Sequence, residues 1–275
     1  MNKEINNIIT NIRENKNLKF FKKKGKILMA KLFEEHIKNK KFYFLIKLNN
    51  KNKKNLIEST KIISGLFGKT LKQNISGDKI VSVSPRVNLI NKYKKNSDDY
   101  LRYHQTNKGG SIHTDGPQIS SPPKLLIMSC VSNSGRGGET ILVNGKKIFQ
   151  KIKKTFPKEA KELTKKFFFE RRGFSRKKNL YLNKPIFETK RYFQVRYLRE
   201  YIITAYKKKS IKLPNEKIKS LNLLDKFIEN KKLQNRFKMK EGEIVLINNH
   251  QLLHGRTGFS INNNKPRNLL RVWVQ

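Results

Sequence analysis

The sequence predicts a mainly β protein, a sandwich or barrel core with helical cover. Short strand-length segments follow one another from about residue 79 onward, whereas helical periodicity is concentrated in the first part of the chain and in one late insertion. The strands do not alternate regularly with helices, and neither the GxGxxG nor the GxxxxGK phosphate loop is present. A doubly wound parallel sheet is therefore disfavoured.

The first 80 residues are predicted to be mostly helical. Apolar side chains recur at helical spacing over residues 1–40 and again over 55–67, and KFYFLIKL at 41–48 predicts a strand between them. No internal repeat and no linker rich in proline or glycine interrupts the chain. We therefore predict a single domain over 1–275, with a helical N-terminal part at 1–80 and a β core with a helical insertion at 80–275.

The predicted β core contains two helical stretches. Residues 145–166 form the first, which Pro157 divides into two helices, and residues near 216–231 form the second. The predicted strands are KIVSVS (79–84), YLRYHQT (100–106), SIHTD (111–115), KLLIMSCVS (124–132), TILVN (140–144), FFFERRGF (167–174), FETKRYFQVRYL (187–198), GEIVLIN (242–248) and RNLLRVWVQ (267–275).

The charge is strongly basic, with 63 Lys and Arg against 20 Asp and Glu and a net charge of +43. Such a balance suggests a polyanionic partner, and a basic nucleic-acid-binding protein without catalysis is the alternative function. However, 49 of these residues are lysine, and they are spread over nearly the whole chain. An even spread indicates a general compositional bias, so no specific nucleic acid is expected.

Cysteine content and hydropathy indicate the cellular compartment in which the protein is expected. The single cysteine, Cys130, excludes an internal disulfide and a cysteine-based zinc cage. No apolar run reaches 18 residues, and the first 17 residues lack the apolar region of a signal peptide. We expect a cytoplasmic protein without a membrane partner.

The segment GGSIHTDGPQ at 109–118 is the sharpest chemical signal. On a strand, residues two apart project from the same face, so His113 and Asp115 direct an imidazole and a carboxylate into the same space. Glycines on both sides let the backbone bend away. The pair predicts two adjacent metal ligands, although a histidine and an aspartate exposed to solvent at the end of a strand would have the same sequence.

A third ligand must come from elsewhere in the chain. His36 lies in a lysine-rich helix, and His104 fits a core or cleft position equally well. On a helix His250 and His254 would form an i, i+4 zinc pair, but the HExxH glutamate is absent and nearby Asn and Gly oppose a helix. On a strand the two lie about 13 Å apart, so only one can join the site.

The end of the chain supplies a possible anion site. After His254, an asparagine-rich turn and Pro266 predict a hairpin-like return into the last strand. On that strand Arg267, Leu269, Arg271 and Trp273 share one face, which either turns inward to meet an anion or points to solvent. Two histidines and one carboxylate form the facial triad of non-haem Fe(II), and an arginine nearby suits a carboxylate of 2-oxoglutarate.

Three motifs together resemble the TauD/TfdA-like superfamily of Fe(II)/2-oxoglutarate dioxygenases. They are HTDGP at 113–117, GGET at 137–140, and LLHGRTGF followed by PRNLLRVW across 252–273. The last is especially similar to the γ-butyrobetaine and trimethyllysine hydroxylase branch. The resemblance covers about residues 100–275 and implies a double-stranded β-helix, or jelly roll, flanked by helices.

The resemblance also implies roles for individual residues. His113, Asp115 and His254 would bind Fe(II), while Arg267 and Thr140 would hold 2-oxoglutarate, which is consumed together with O2. Arg271 matches a position that contacts the primary substrate in some relatives. The implied reaction is hydroxylation of a small organic acid, amino acid or betaine-like substrate, with release of succinate and CO2.

Two further points stay open from the sequence. Arg196 or Arg199, in FQVRYLREY, can meet a substrate carboxylate or lie at the surface. A zinc hydrolase built on the same three ligands lacks an evident general-base glutamate and leaves Arg267 unexplained. The sequence makes no prediction of the oligomeric state.

Overall fold

A computed structural model describes residues 2–38, 42–49, 52–74, 76–85, 106–133, 135–172, 180–190, 192–262 and 264–275. The helices are α1 (Asn2–Arg13), α2 (Leu18–Lys38), α3 (Lys53–Phe67), α4 (Gly145–Thr155), α5 (Pro157–Leu163), α6 (Arg199–Lys208) and α7 (Asn215–Glu229), with a short 3-10 turn at Lys231–Leu233. The strands are β1 (Tyr43–Lys47), β2 (Ile80–Val83), β3 (Leu125–Ser132), β4 (Thr140–Asn144), β5 (Lys166–Glu170), β6 (Tyr181–Pro185), β7 (Phe187–Glu188), β8 (Gln194–Val195), β9 (Gln234–Phe237), β10 (Glu243–Asn248), β11 (Leu252–Arg256) and β12 (Asn268–Val274).

Two antiparallel sheets face each other and form the core. One has the strand order β1-β10-β3-β12-β2 and the other β11-β4-β9. Alternate residues of both sheets, including Leu126, Val245 and Leu269 from the first and Leu142 and Leu252 from the second, pack into one buried cluster between them. The prediction of a mainly β jelly-roll core is confirmed.

Helices cover the outer faces of both sheets. The N-terminal helices α1 to α3 pack on the outer side of the five-stranded sheet, where Ile8 and Ile63 meet Ile127 and Val272. Helices α4 to α7, with β5 to β8, cover the outer side of the three-stranded sheet. In the described residues, no helix combines the length and apolar character needed to cross a membrane.

Most predicted elements are present at the predicted places. Pro157 begins α5 directly after α4 ends, because a proline lacks the N–H that a helix interior needs but not the one at its first turn. The strand expected at 100–106 and His104 lie outside the described residues, apart from Thr106. His36 lies in α2.

Two predicted strands were wrong in extent. SIHTD forms only a single bridge, between His113 and His254, because the next two N–H groups bond elsewhere: that of Thr114 to the Tyr197 carbonyl, and that of Asp115 to the Asn249 side chain. FETKRYFQVRYL splits into β7 and β8, which pair with each other as a short hairpin.

The predicted hairpin after His254 was also wrong. Strand β11 pairs with β4, whereas β12 pairs with β3 and β2, so the connection crosses from one sheet to the other. A hairpin would place His254 and the arginines of β12 side by side on one sheet. The crossing instead places them on opposite walls of the core.

Candidate metal centre

Three predicted ligands meet at one buried point between the sheets. His113 and His254 exchange both backbone hydrogen bonds, of 2.9 and 2.7 Å, and their ring centroids are 4.5 Å apart. Oδ1 of Asp115 lies 3.7 Å from Nε2 of His113 and 3.9 Å from Nε2 of His254. One ligand atom from each residue lies within 4.8 Å of the other two, and all three residues are buried.

Both imidazoles present Nε2 toward the carboxylate. Nδ1 of His113 lies 2.9 Å from the Ser111 carbonyl, and since a carbonyl only accepts, Nδ1 carries a proton; in the neutral ring the lone pair is then on Nε2. Burial, with His113 beside it, lowers the pKa of His254 to about 3. His254 is therefore neutral at neutral pH, the form that binds metal ions. Its Nδ1 is buried without a hydrogen-bond partner in the described part of the chain.

Asp115 is ionised, and its two carboxylate oxygens have different partners. Burial alone would raise the pKa of this carboxyl, but the Arg271 guanidinium beside it holds the pKa well below its usual range. Oδ2 accepts a hydrogen bond of 2.9 Å from Nε1 of Trp273. Oδ1 accepts one of 3.2 Å from Nη1 of Arg271 and faces the imidazoles.

The arginine face of β12 points inward, so the solvent-facing alternative was wrong. Arg267 is 3 % exposed, and the side chain of Arg271 is 14 % exposed. Nε of Arg271 donates to Oε1 of Gln73 at 2.8 Å, and Gln73 in turn donates to the carbonyls of Lys79 and Arg271. Gln73 thus ties the inward arginine to the segment before β2.

The predicted co-substrate residues lie farther along the same interior. The Arg267 guanidinium carbon is 5.4 Å from the centroid of the Phe259 ring, and that of Arg256 is 4.7 Å from the same centroid. Buried Thr140 begins β4 two residues before Leu142, which pairs with His254. Period-two alternation puts Thr140 on the same inward face as Leu142.

Arg196 is buried, but its guanidinium is occupied by backbone. Nη1 donates to the carbonyls of Pro117 at 2.6 Å and Ile119 at 2.7 Å, and Nη2 donates to that of Ser120 at 3.3 Å. Burial lowers the pKa of Arg196 to about 10, which leaves it charged at neutral pH. Arg199 instead pairs with Asp225 at 2.6 Å.

Three residues of the site were missed from the sequence. Trp273 was noticed only as a member of the arginine face, and Asn249 only as a residue that opposes a helix. Oδ1 of Asn249 accepts from the Asp115 N–H, and its Nδ2 donates to the carbonyls of Asp115 and Pro123. Gln73 gave no local signal.

His250 lies apart from this centre, in the turn between β10 and β11. Its Nε2 is 3.2 Å from the Pro122 carbonyl, and its ring stacks on Tyr192. The helical zinc pair does not form because His254 lies in β11.

Comparison with known proteins gives one family and several relatives. The model of the "Taurine catabolism dioxygenase TauD, TfdA family" matches residues 30–273. γ-Butyrobetaine dioxygenases of Homo sapiens and Pongo abelii are each 27 % identical over 165 residues, which is 58 % of this chain and 42 % of theirs. The chain thus aligns with less than half the length of these curated relatives.

Two solved oxygenases share the fold. An asparagine oxygenase in complex with Fe(II), 2S,3S-3-hydroxyasparagine and succinate has a TM-score of 0.71 at 10 % identity, covering 99 % of this chain and 90 % of its own. The non-heme iron oxygenase OrfP, in complex with Fe, succinate and (3S)-hydroxy-L-Arg, has a TM-score of 0.66 at 14 % identity, covering 90 % of this chain and 80 % of its own.

Proposed function

Because the chain belongs to the TauD, TfdA family, we propose that it is an Fe(II)- and 2-oxoglutarate-dependent dioxygenase. The observation that carries this proposal is the meeting of His113, Asp115 and His254, whose ligand atoms lie within 4.8 Å of one another. Two imidazoles and one carboxylate bind non-haem Fe(II) on one face and leave the opposite positions open.

The protonation states of the three residues fit a divalent ion. Nε2 of His113 and Nε2 of His254 would donate lone pairs, and Oδ1 of Asp115 would supply negative charge. Two of these groups are held in the required form by their neighbours: the Ser111 carbonyl fixes the tautomer of His113, and Arg271 keeps Asp115 ionised. When bound, Fe(II) would supply the activation of dioxygen that couples decarboxylation of 2-oxoglutarate to oxidation of the substrate.

We assign the distal carboxylate of 2-oxoglutarate to Arg267, with Thr140 as a hydrogen-bond donor to the same molecule. A guanidinium binds a carboxylate through two parallel hydrogen bonds, and a buried guanidinium gains most from such a partner. Arg267 is buried, and its planar group rests against the Phe259 ring, which fixes its orientation.

The proposed substrate is a small amino acid, betaine-like molecule or other organic acid, and the reaction is hydroxylation with release of succinate and CO2. The relatives support this class, because they are named for γ-butyrobetaine and asparagine or hold hydroxyarginine. Arg271, whose side chain lies beside Asp115, is the proposed contact for a substrate anion. Arg196 suits a substrate less well, because its Nη groups already serve backbone carbonyls.

An anaerobic titration tests the proposal. Adding Fe(II) and 2-oxoglutarate to the protein should give a visible metal-to-ligand charge-transfer band, and a substrate screen should then detect succinate release. His113→Ala and Asp115→Ala should lose the band, while His250→Ala, a matched histidine outside the centre, should keep it. A band that survives in the first two variants, or that never forms in the parent, contradicts the proposed site.

We propose one domain over 1–275 in the cytoplasm, without a specific nucleic-acid partner. The burial of the only cysteine and the even spread of lysine support this view. Tight, sequence-selective binding of a nucleic acid at physiological salt would contradict it.

A further inference from the structure

The segment that carries His113 and Asp115 has almost no strand pairing of its own. It is held instead by residues from two other parts of the chain. The N–H of Thr114 donates to the Tyr197 carbonyl at 2.8 Å, and the N–H of Tyr197 donates to Oγ1 of Thr114 at 3.0 Å. The side chain of Asn249 bonds to both backbone groups of Asp115: it accepts from the N–H and donates to the carbonyl.

After Asp115 the backbone turns sharply. Gly116 has φ +66°, and a Cβ on it would lie 2.8 Å from Cδ of Pro123. The turn directs the carbonyls of Pro117, Ile119 and Ser120 toward the Arg196 guanidinium, which donates a hydrogen bond to each of them. Pro117 is buried, whereas Ile119 is half-buried and Ser120 exposed. The Pro117 carbonyl needs the donor most, because an unsatisfied buried carbonyl loses its hydration without replacement.

A guanidinium suits this arrangement. Two acceptors meet Nη1 and a third meets Nη2, so the rigid planar fork serves all three carbonyls at once. Within the part of the chain that the structure describes, no carboxylate forms an ion pair with Arg196, although it is 5 % exposed. The buried charge therefore serves the turn and not a salt bridge.

We propose that Arg196 is a positioning residue that holds residues 116–120, so that His113 and Asp115 are arranged for the metal before it binds. This inference rests on the proposed function. It places the origin of metal affinity partly in the α-helical cover, since Arg196 follows β8 and its neighbour Tyr197 donates to Asp225 in α7. Groups that orient metal ligands in this way are often worth about 10- to 100-fold in metal affinity.

The test compares Arg196→Met and Arg196→Lys with a matched control, Lys217→Met. Lys217 is also a largely buried cation, with a side chain 13 % exposed, and it donates to a backbone carbonyl, that of Lys166. It lies in α7, eight residues before Asp225, and it also pairs with Glu162 at 3.2 Å. Two quantities are measured on full-length protein: the Kd for Co(II), and the hydrogen exchange of residues 111–121 in metal-free protein.

For Arg196→Met we expect a Kd for Co(II) raised at least about tenfold and faster exchange over 111–121. Arg196→Lys should fall between this variant and the parent, and Lys217→Met should match the parent in both quantities. An unchanged Kd, or unchanged exchange, in Arg196→Met overturns the inference. If the parent itself fails to bind Co(II), the proposed metal site fails, while the exchange data still decide whether Arg196 holds the turn.

Discussion

Trp273 donates the N–H of its indole ring to Oδ2 of Asp115 at 2.9 Å, in the wall of the core opposite His254. This bond occupies one carboxylate oxygen and leaves Oδ1 facing the two imidazoles. The carboxylate is thus prepared to bind a metal through a single oxygen. Trp273 is also the only tryptophan in the sequence, so the tryptophan fluorescence of the protein comes from this side chain alone.

Metal binding should change the fluorescence of the protein. Co(II) is a paramagnetic stand-in for Fe(II), and it should quench the emission of Trp273 in a saturable manner because the indole contacts the ligand carboxylate. The measurement is a fluorescence titration under anaerobic conditions. His254→Ala should abolish saturable quenching and His250→Ala should not; equal quenching in both variants would place the metal elsewhere.

Replacing the indole tests the hydrogen bond itself. Trp273→Phe keeps an aromatic ring in the core but removes the donor to Asp115, so Oδ2 is left free to rotate. We expect metal affinity to fall about tenfold, measured by the charge-transfer band with Fe(II) and 2-oxoglutarate. An affinity equal to that of the parent would show that the bond does not orient the carboxylate.

Arg267→Ala should raise the concentration of 2-oxoglutarate needed for half-saturation. A hydrogen-bonded charge pair is worth about 1.5–3 kcal/mol, roughly ten- to a hundredfold. Arg267→Lys keeps the charge but loses the paired donors, so its defect should be smaller. Saturation is followed by the charge-transfer band, with Co(II) quenching as the control for an intact metal site. Unchanged saturation in the alanine variant removes this role.

Gly138→Ala should also disturb Arg267, because the added methyl group would press against its side chain. Gly138 has φ +74°, and a Cβ on it would lie 3.0 Å from Oδ1 of Asn133 and 3.3 Å from Cδ of Arg267. We expect a loss of about 1–3 kcal/mol in the free energy of unfolding and weaker binding of 2-oxoglutarate. Gly65→Ala is the control: it lies in α3 with open space around it and should stabilise by about 0.5–1 kcal/mol.

Glu170 gives a pH-dependent contribution to stability. Burial opposes its charged form, but Lys208, Thr204 and Arg172 bond to the carboxylate and lower its pKa below the ordinary value. A group whose pKa is lower in the folded state stabilises fully above its unfolded pKa, about 4.3, and loses that effect as the pH falls further. Glu170→Gln should therefore cost about 1–2 kcal/mol at pH 7.

This cost should shrink when the pH is lowered from 6 toward 3.5, because protonation of Glu170 makes the parent resemble the variant. Urea unfolding curves of both proteins across this range measure the difference. A difference that stays constant with pH would show that the network contributes through packing and not through charge.

The sequence alone predicted the mainly β class of the core and half of the proposed site. Strands have a period of two, so His113 and Asp115 were placed on one side, and the face of β12 that carries Arg267, Arg271 and Trp273 was recognised as a unit. The resemblance supplied the remaining proposed roles, including that of His254. These inferences could be made because backbone periodicity and short motifs are local, and the residue roles remain proposals.

Only the tertiary structure decided which surfaces meet. The chain crosses between sheets after β11, and this crossing, not a hairpin, brings His254 opposite Trp273. Asn249, Gln73 and Arg196 entered the site for the same reason, since each bonds to atoms more than 70 residues away. No local sequence pattern distinguishes an arginine that donates to backbone carbonyls from one that binds a ligand. The role of the arginine depends on the direction of carbonyls that are distant in the sequence.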